Sequence, residues 1–321
     1  MDPFNSDPEL SPPFEAEWVP RRKFQDRRWR HALLLLLTIA STTLAGAFQY
    51  AAFRHDAGFA TTSLNLTATQ LLAGGLWYSG TLLLILGCHE LGHYFACRYY
   101  DVDASLPYFL PMPFVLTGTL GAFIRIREPF PSKRALFDIG IAGPIAGFVL
   151  AVPALVIGLA LSNVVPVPDP LPPGTFEFGE PLLYQFVSWA IWGTTPQGFT
   201  VNMHPMAGAA WFGLLATALN LIPVGQLDGG HISYAVLGRR SSLVTLVMIG
   251  IGVALSFVSS NWTVWTGLMV LMLFLFGRHH PRTYDEAVPL DSTRLGLAFF
   301  ALVMFVLCFT PVPLEILSVR P

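Results

Sequence analysis

The sequence has few charged residues. Lys, Arg, Asp and Glu make up 12% of its 321 residues, against about 25% in a typical soluble domain. Hydrophobic residues make up 53% and the mean hydropathy is +0.56, which excludes an ordinary soluble protein and predicts contact with a lipid bilayer. The basic residues form no nucleic-acid-binding tract and the formal net charge is −2, so no nucleic-acid partner is expected.

Cysteine is also scarce. The chain has three cysteines, and Cys88, Cys97 and Cys308 all lie in apolar segments. This arrangement argues against a disulfide framework. Cys88 directly precedes a histidine, but on a helix the two side chains point in different directions, so we interpret Cys88 as a small packing residue.

Long apolar runs occupy most of the chain. Seven of them approach the roughly 20 residues that a transmembrane helix needs, and they cover 31–53, 71–99, 135–161, 206–222, 243–257, 262–276 and 295–310. The sequence therefore predicts an all-α polytopic membrane protein with about seven transmembrane helices. Segment 105–127 is apolar but interrupted by prolines and glycines, which predicts a re-entrant loop or a short β-hairpin.

Basic residues are distributed unevenly among the loops. The run RRKFQDRRWR at 21–30 precedes the first span, and by the positive-inside rule it predicts a cytoplasmic N-terminus. Alternating the spans from there leaves loops 55–70 and 163–202 outside, and neither contains Lys or Arg. We therefore expect an integral protein of a bacterial-type inner membrane.

The second span contains ionisable residues. His89, Glu90 and His93 form the motif HELGH inside an apolar run, although an ionisable group at bilayer depth costs about 2.5–3.5 kcal/mol on insertion scales. On a helix, His89 and His93 are four residues apart and share a face, which suits two nitrogen ligands of one Zn²⁺. Glu90 is turned by about 100°, near the metal but available as a general base.

A second polar group of residues follows the fourth span, which runs in the same direction as the second. Asn220 and Asp228 therefore reach the depth of HELGH. Asp228 is a candidate third ligand, because zinc proteases use two His and one carboxylate and leave a position for water. Pro223 and a glycine pair break the helix there, and the exposed backbone needs a protein-lined, wet cavity.

HELGH in a membrane span, followed far downstream by Asn-x-x-Pro-x-x-x-x-Asp-Gly-Gly, resembles the site-2 protease family of intramembrane zinc metalloproteases, peptidase family M50. The resemblance covers about 71–237. It implies that His89, His93 and Asp228 bind one zinc ion. It also implies that Glu90 activates the attacking water and that Asn220 lies beside the site, orienting the substrate or an oxyanion.

The resemblance implies a transmembrane substrate helix, cut near the cytoplasmic side after local unwinding. Phe123 and Ile124 lie in a strand-like stretch and would offer a β-strand edge to the unwound segment. The connection 164–203 is too short for the PDZ domain that the family often inserts there. We expect a disordered cytoplasmic N-terminus (1–30), a transmembrane metalloprotease domain (31–311, core 71–237) and a short C-terminal tail (312–321).

Two other functions stay open, a metal-binding membrane transporter and a proteolytically inactive scaffold. A transporter has no need of Glu90 between its histidines, and no inverted repeat is evident. A scaffold would have lost a ligand, and none is lost. Asp138 is expected to pair with Lys133 or Arg134, and His231 either supports the site or has no role. The sequence predicts no oligomeric state.

Overall fold

A computed structural model describes residues 23–59, 65–113, 116–169, 175–257, 261–276, 283, 285–286 and 288–317. Helices dominate this part of the chain. They are α1 (Arg28–Arg54), α2 (Ala68–Tyr99), α3 (Lys133–Ala160), α4 (Leu182–Trp192), α5 (Pro205–Leu221), α6 (Asp228–Leu237), α7 (Ser241–Ser256), α8 (Asn261–Phe276) and α9 (Ser292–Cys308). The strands are β1 (Tyr108–Pro111), β2 (Thr119–Phe123), β3 (Asn163–Pro166), β4 (Thr175–Phe178), β5 (Phe199–Asn202) and β6 (Leu314–Leu317).

Four helical segments of the described chain are long and apolar enough to cross a membrane. They are Arg28–Arg54, Ala68–Tyr99, Lys133–Ala160 and Asp228–Ser256, the last containing α6, a 3₁₀ turn and α7. The protein is thus a mostly helical membrane protein, but seven spans are not confirmed. Helices α5, α8 and α9 have only 16 or 17 residues, or about 24–26 Å at 1.5 Å per residue, less than the roughly 30 Å hydrocarbon core.

Small residues let the first helices approach closely. A Cβ added at Gly75 of α2 would lie 2.3 Å from the backbone oxygen of Thr43 in α1, and one at Gly158 of α3 would lie 2.4 Å from the backbone nitrogen of Ala207 in α5. Such contacts drive helix association in membranes, where packing replaces the hydrophobic effect. Helices α2 and α5 run in parallel, as predicted, because Ile85 meets Gly213 and Asn220 meets His89 further along.

The connection 163–202, predicted as a loop, contains regular structure. Strand β3 pairs with β5, and β4 pairs with β6 from the C-terminal tail. In the sequence, α4 lies between β4 and β5. Helix α4 has 11 residues, too few to be recognised as a span. Its buried residues Tyr184 and Val187 join the core around Trp211 and Leu214.

Segment 105–127 contains the short β-hairpin, and a re-entrant loop is not confirmed. Tyr108 of β1 lies opposite Phe123 of β2 in an antiparallel pair. The pairing continues before β1 and after β2, where Ala104 and Ile126 form an isolated antiparallel β-bridge. Prolines interrupt a helix but are tolerated at strand ends and bulges, so this segment forms strands. We call the hairpin together with its extension at Ala104 and Ile126 the ribbon.

Regular structure in the described chain begins before residue 30. Helix α1 already begins at Arg28, and residues 23–27 contact the base of the hairpin through Lys23 and Asp26. Opposite charges fix this stretch, since Lys23 pairs with Asp101 and Asp26 with Arg127. The rest of the predicted disordered segment, 1–22, lies outside the described residues.

Candidate metal centre

Helix α2 supplies three of the candidate side chains. His89, Glu90 and His93 are all buried, with 5%, 7% and 7% of their surfaces exposed. The helical spacing brings the two imidazoles edge to face, and their Nε2 atoms lie 3.2 Å apart. Two nitrogen atoms therefore converge on one point inside the helix bundle.

Asp228 completes the group from the first turn of α6. Its Oδ2 lies 3.1 Å from Nε2 of His89 and 3.2 Å from Nε2 of His93. Tetrahedral zinc with bonds of about 2.0–2.1 Å needs neighbouring ligand atoms about 3.3 Å apart. The three atoms thus fit a zinc ion in separation and in donor type, and among the described residues they are the group of three that could hold a metal.

A backbone group of α3 orients the His93 imidazole, and a side-chain amide of α5 borders that of His89. Nδ1 of His93 lies 2.7 Å from the backbone oxygen of Ile139 in α3. Because a carbonyl oxygen only accepts, Nδ1 carries the proton and Nε2 is left with a lone pair for a metal. Nδ2 of Asn220, at the end of α5, lies 3.1 Å from Nε2 of His89, so the Asn220 amide borders the same point.

Helix α3 approaches the site through glycine. A Cβ added at Gly143 would lie 2.0 Å from Nε2 of His93, and one at Gly147 would lie 3.2 Å from Cβ of His89. On the other side of the contact, a Cβ at Gly92 would lie 2.5 Å from the backbone oxygen of Ala142. Any side chain at Gly143 would therefore fill the space beside a ligand atom.

Strand β2 passes next to Glu90. The backbone of Ile124, the residue after β2, lies on the side of the Glu90 carboxylate. Phe123 is 45% exposed and its ring stacks on Tyr108, with centroids 5.4 Å apart. Within the described residues β2 pairs with β1 alone, so its second edge has no strand partner there.

Comparison with known families agrees with this site. The model of peptidase family M50 matches residues 77–259, which include HELGH, Asn220 and Asp228. The chain belongs to peptidase family M50. The resemblance to site-2 proteases found in the sequence is thereby confirmed.

This M50 protein is similar to plant proteins that are named as probable zinc metalloproteases. Similar proteins include probable zinc metalloprotease EGY1, chloroplastic, of Arabidopsis thaliana, 34% identical over 72% of this chain and 42% of the relative. Probable zinc metalloprotease EGY2, chloroplastic, of the same plant is 29% identical over 76% of this chain and 43% of the relative. The chain spans about two fifths of the length of these relatives. No solved structure matches it.

Two further polar residues of the M50 protein lie near the site. The prediction for Asp138 is wrong, because its carboxylate accepts 2.8 Å from Nε of Arg294 in α9 and also bonds the Tyr100 hydroxyl. No periodicity within a helix or hairpin links Asp138 to a partner 156 residues away. His231 packs its Cβ near Gly140 and its ring 5.4 Å from that of Phe130.

Sequence reasoning marks the close packing of α3 through its small residues but not what α3 contacts. The Ile139 carbonyl is a backbone group, so no side-chain motif marks it. Gly143 belongs to a run of small residues, AGPIAG at 142–147, which indicates close helix packing. That pattern does not reveal that the neighbour across the contact is a candidate metal ligand.

Proposed function

We propose that this M50 protein is an intramembrane zinc metalloprotease that hydrolyses peptide bonds of transmembrane substrate helices. The observation that carries the proposal is the convergence of His89, His93 and Asp228 at 3.1–3.2 Å with the buried Glu90 beside them. The names of the plant relatives, probable zinc metalloproteases, support the metal and the reaction class.

The chemistry follows from the donor set. When bound, zinc supplies a Lewis acid that polarises the scissile carbonyl and makes a water molecule more acidic. Glu90 accepts a proton from the attacking water at a carboxylate oxygen and later gives it to the leaving amine. Ile139 holds the tautomer of His93 that leaves Nε2 free, and the Asn220 amide orients the substrate or a developing oxyanion.

The open edge of β2 receives the substrate in this proposal. A transmembrane helix keeps its carbonyls hydrogen-bonded, so it must unwind before attack. Phe123 and Ile124 would pair with the unwound segment by strand addition and bring one peptide bond to Glu90. Replacing Ile124 with proline removes its backbone N–H, and we expect cleavage to fall while zinc content stays constant. Unchanged cleavage would refute the edge role.

The finer topology is part of the proposal. The basic residues favour a cytoplasmic N-terminus and a cut near the cytoplasmic side of a bacterial-type inner membrane. The relatives' names refer those plant proteins to the chloroplast, and reporter fusions test the orientation proposed for this chain. Reporter fusions after residues 59 and 169 should both report the outer side, and activity of either fusion in the cytoplasm would reject this orientation.

A zinc and cleavage assay of two variants tests the activity. Glu90→Gln keeps size and hydrogen bonding, so we expect it to retain zinc and lose about 10²–10⁴-fold in cleavage rate. His93→Ala should lose both. A Glu90→Gln protein that cleaves at the wild-type rate would refute the general-base role, and a wild-type protein that binds no zinc would favour the inactive scaffold.

A further inference from the structure

A β-bulge interrupts the ribbon that carries the β2 edge. Ala104 pairs with Ile126, and the next pair along the ribbon is Tyr108 with Phe123. Three residues, 105–107, therefore lie opposite two, 124–125. One extra residue in a strand leaves backbone groups out of the ladder and changes which side chains and amides face each way.

Residues that precede or begin α1 satisfy the backbone groups of the bulge. The amide of Leu106 donates to Oδ2 of Asp26 at 3.0 Å. Nδ1 of His31 lies 3.1 Å from the backbone oxygen of Pro107 and donates to it, since a carbonyl only accepts. The Asp26 and His31 side chains are buried, with 4% and 9% exposed. Buried polar groups of this kind are costly to leave unpaired.

The same carboxylate also holds the opposite strand. Oδ1 of Asp26 accepts from the guanidinium of Arg127, which in turn reaches Oδ1 of Asp103 at 3.3 Å. The backbone nitrogen of Arg127 donates to the backbone oxygen of Asp103 at 2.8 Å. Asp26 therefore contacts both strands of the ribbon, one through a bulge amide and one through a side chain.

The bulge determines which residue faces Glu90. Ser105 donates its amide to the backbone oxygen of Arg125 at 3.0 Å and accepts the Arg125 amide on its hydroxyl at 2.8 Å. Because backbone groups of successive strand residues point in opposite directions, the backbone of Ile124 points away from β1, on the side where Glu90 lies. A slip of one residue would reverse this orientation.

We infer that Asp26 and His31 are positioning residues: they lock the Leu106–Pro107 bulge and thereby set which backbone amide of the substrate-pairing edge lies at Glu90. The inference rests on the proposed protease function and deepens it. Neither residue touches the metal ligands or the substrate, so their effect passes through the register of the ribbon.

Mass spectrometry of the cleavage products tests the inference, with KM and zinc content measured in parallel. We expect Asp26→Ala and His31→Ala to raise KM about tenfold, as loss of a hydrogen bond to a buried group predicts, and to spread the cut over neighbouring peptide bonds. Zinc content should stay at the wild-type level. Lys23→Ala is the matched control, because Lys23 pairs with Asp101 and Glu128 at the same end and does not touch the bulge.

A second measurement needs no substrate. Hydrogen exchange of the full-length protein should speed up at 104–108 in Asp26→Ala, with little change in α2 and α3. Asp26→Asn keeps an acceptor for the Leu106 amide and should exchange more slowly than Asp26→Ala, which covers the case in which the alanine variant folds poorly. Wild-type exchange at 104–108 in both variants would overturn the inference.

The outcomes separate the two proposals. Variants that cut the same bond with the wild-type KM, beside an active wild-type enzyme, overturn the positioning role and leave the protease function intact. A wild-type protein that holds zinc but cleaves no membrane substrate refutes the protease function. In that case faster exchange in Asp26→Ala would show only that Asp26 stabilises the bulge. The proposed role of Asp26 in positioning the substrate edge for cleavage would be overturned.

Discussion

Replacing Gly143 with alanine should weaken zinc binding strongly through one methyl group. The added Cβ would lie 2.0 Å from Nε2 of His93 and 2.4 Å from its Cδ2, whereas ordinary contacts begin at 3.4 Å. The imidazole or α3 must therefore move by about 1.4 Å, the difference of the two distances. Zinc sites tolerate ligand distances only within about 0.2 Å. We expect zinc affinity to fall at least 100-fold, the upper end of the loss seen for disrupted ligand support.

Competition with a chromophoric chelator measures this affinity, and thermal unfolding measures the cost to the fold. Gly80→Ala is the matched control, because it also lies in a described helix and its Cβ would meet nothing within 4 Å. Alanine is the better helix former by about 1 kcal/mol, so this control should bind zinc and unfold no earlier than the wild type. Wild-type zinc affinity in Gly143→Ala would refute the packing of α3 against His93 and with it the assignment of Nε2 as a ligand atom.

Two further predictions concern contacts outside the metal site. Arg294→Ala should lower the free energy of unfolding by about 1–2 kcal/mol, measured by chemical denaturation. It removes a partly exposed ion pair with Asp138 that joins α9 to α3. Arg294→Lys should recover only part of the lost stability, since lysine lacks the forked guanidinium. Burial lowers the pKa of His204 below its ordinary value of 6.5, so the unfolded chain takes up the proton first and stability should fall as the pH drops below about 6.5. Protonation also removes the Nδ1 acceptor of the Met206 amide at the start of α5. His204→Asn should flatten the decline in unfolding temperature between pH 7 and pH 5, and an unchanged slope would contradict the assignment.

The candidate site was predictable because local rules fixed its parts. Helical periodicity alone places His89 and His93 on one face. The expectation that the second and fourth apolar segments run in the same direction agrees with α2 and α5, and that direction brings Asn220 and Asp228 to His89. These inferences need only the spacing of residues within one helix and the count of crossings between two.

Other contacts were beyond sequence reasoning for a physical reason. Asp138 and Arg294 are 156 residues apart, and Asp26 meets the Leu106 amide across 80 residues. Neither pair shares a helix or a hairpin, so no periodicity links them. The predicted number of spans is not confirmed for a different reason. Hydropathy marks apolar runs but does not tell a 17-residue buried helix from one that crosses the bilayer.

The position of Asp228 on α6, far along the chain from His89, affects the stability of the whole protein. His89 and Asp228 are 139 residues apart, so an ion held by both closes a very long loop, and closing it restricts the unfolded chain much as a cross-link does. All three cysteines are free, so zinc would take the part that disulfides play in secreted proteins. A ligand that binds only the folded state stabilises that state in proportion to the logarithm of the free ligand concentration. The folded lifetime of this protein would therefore depend on the free zinc concentration in its compartment.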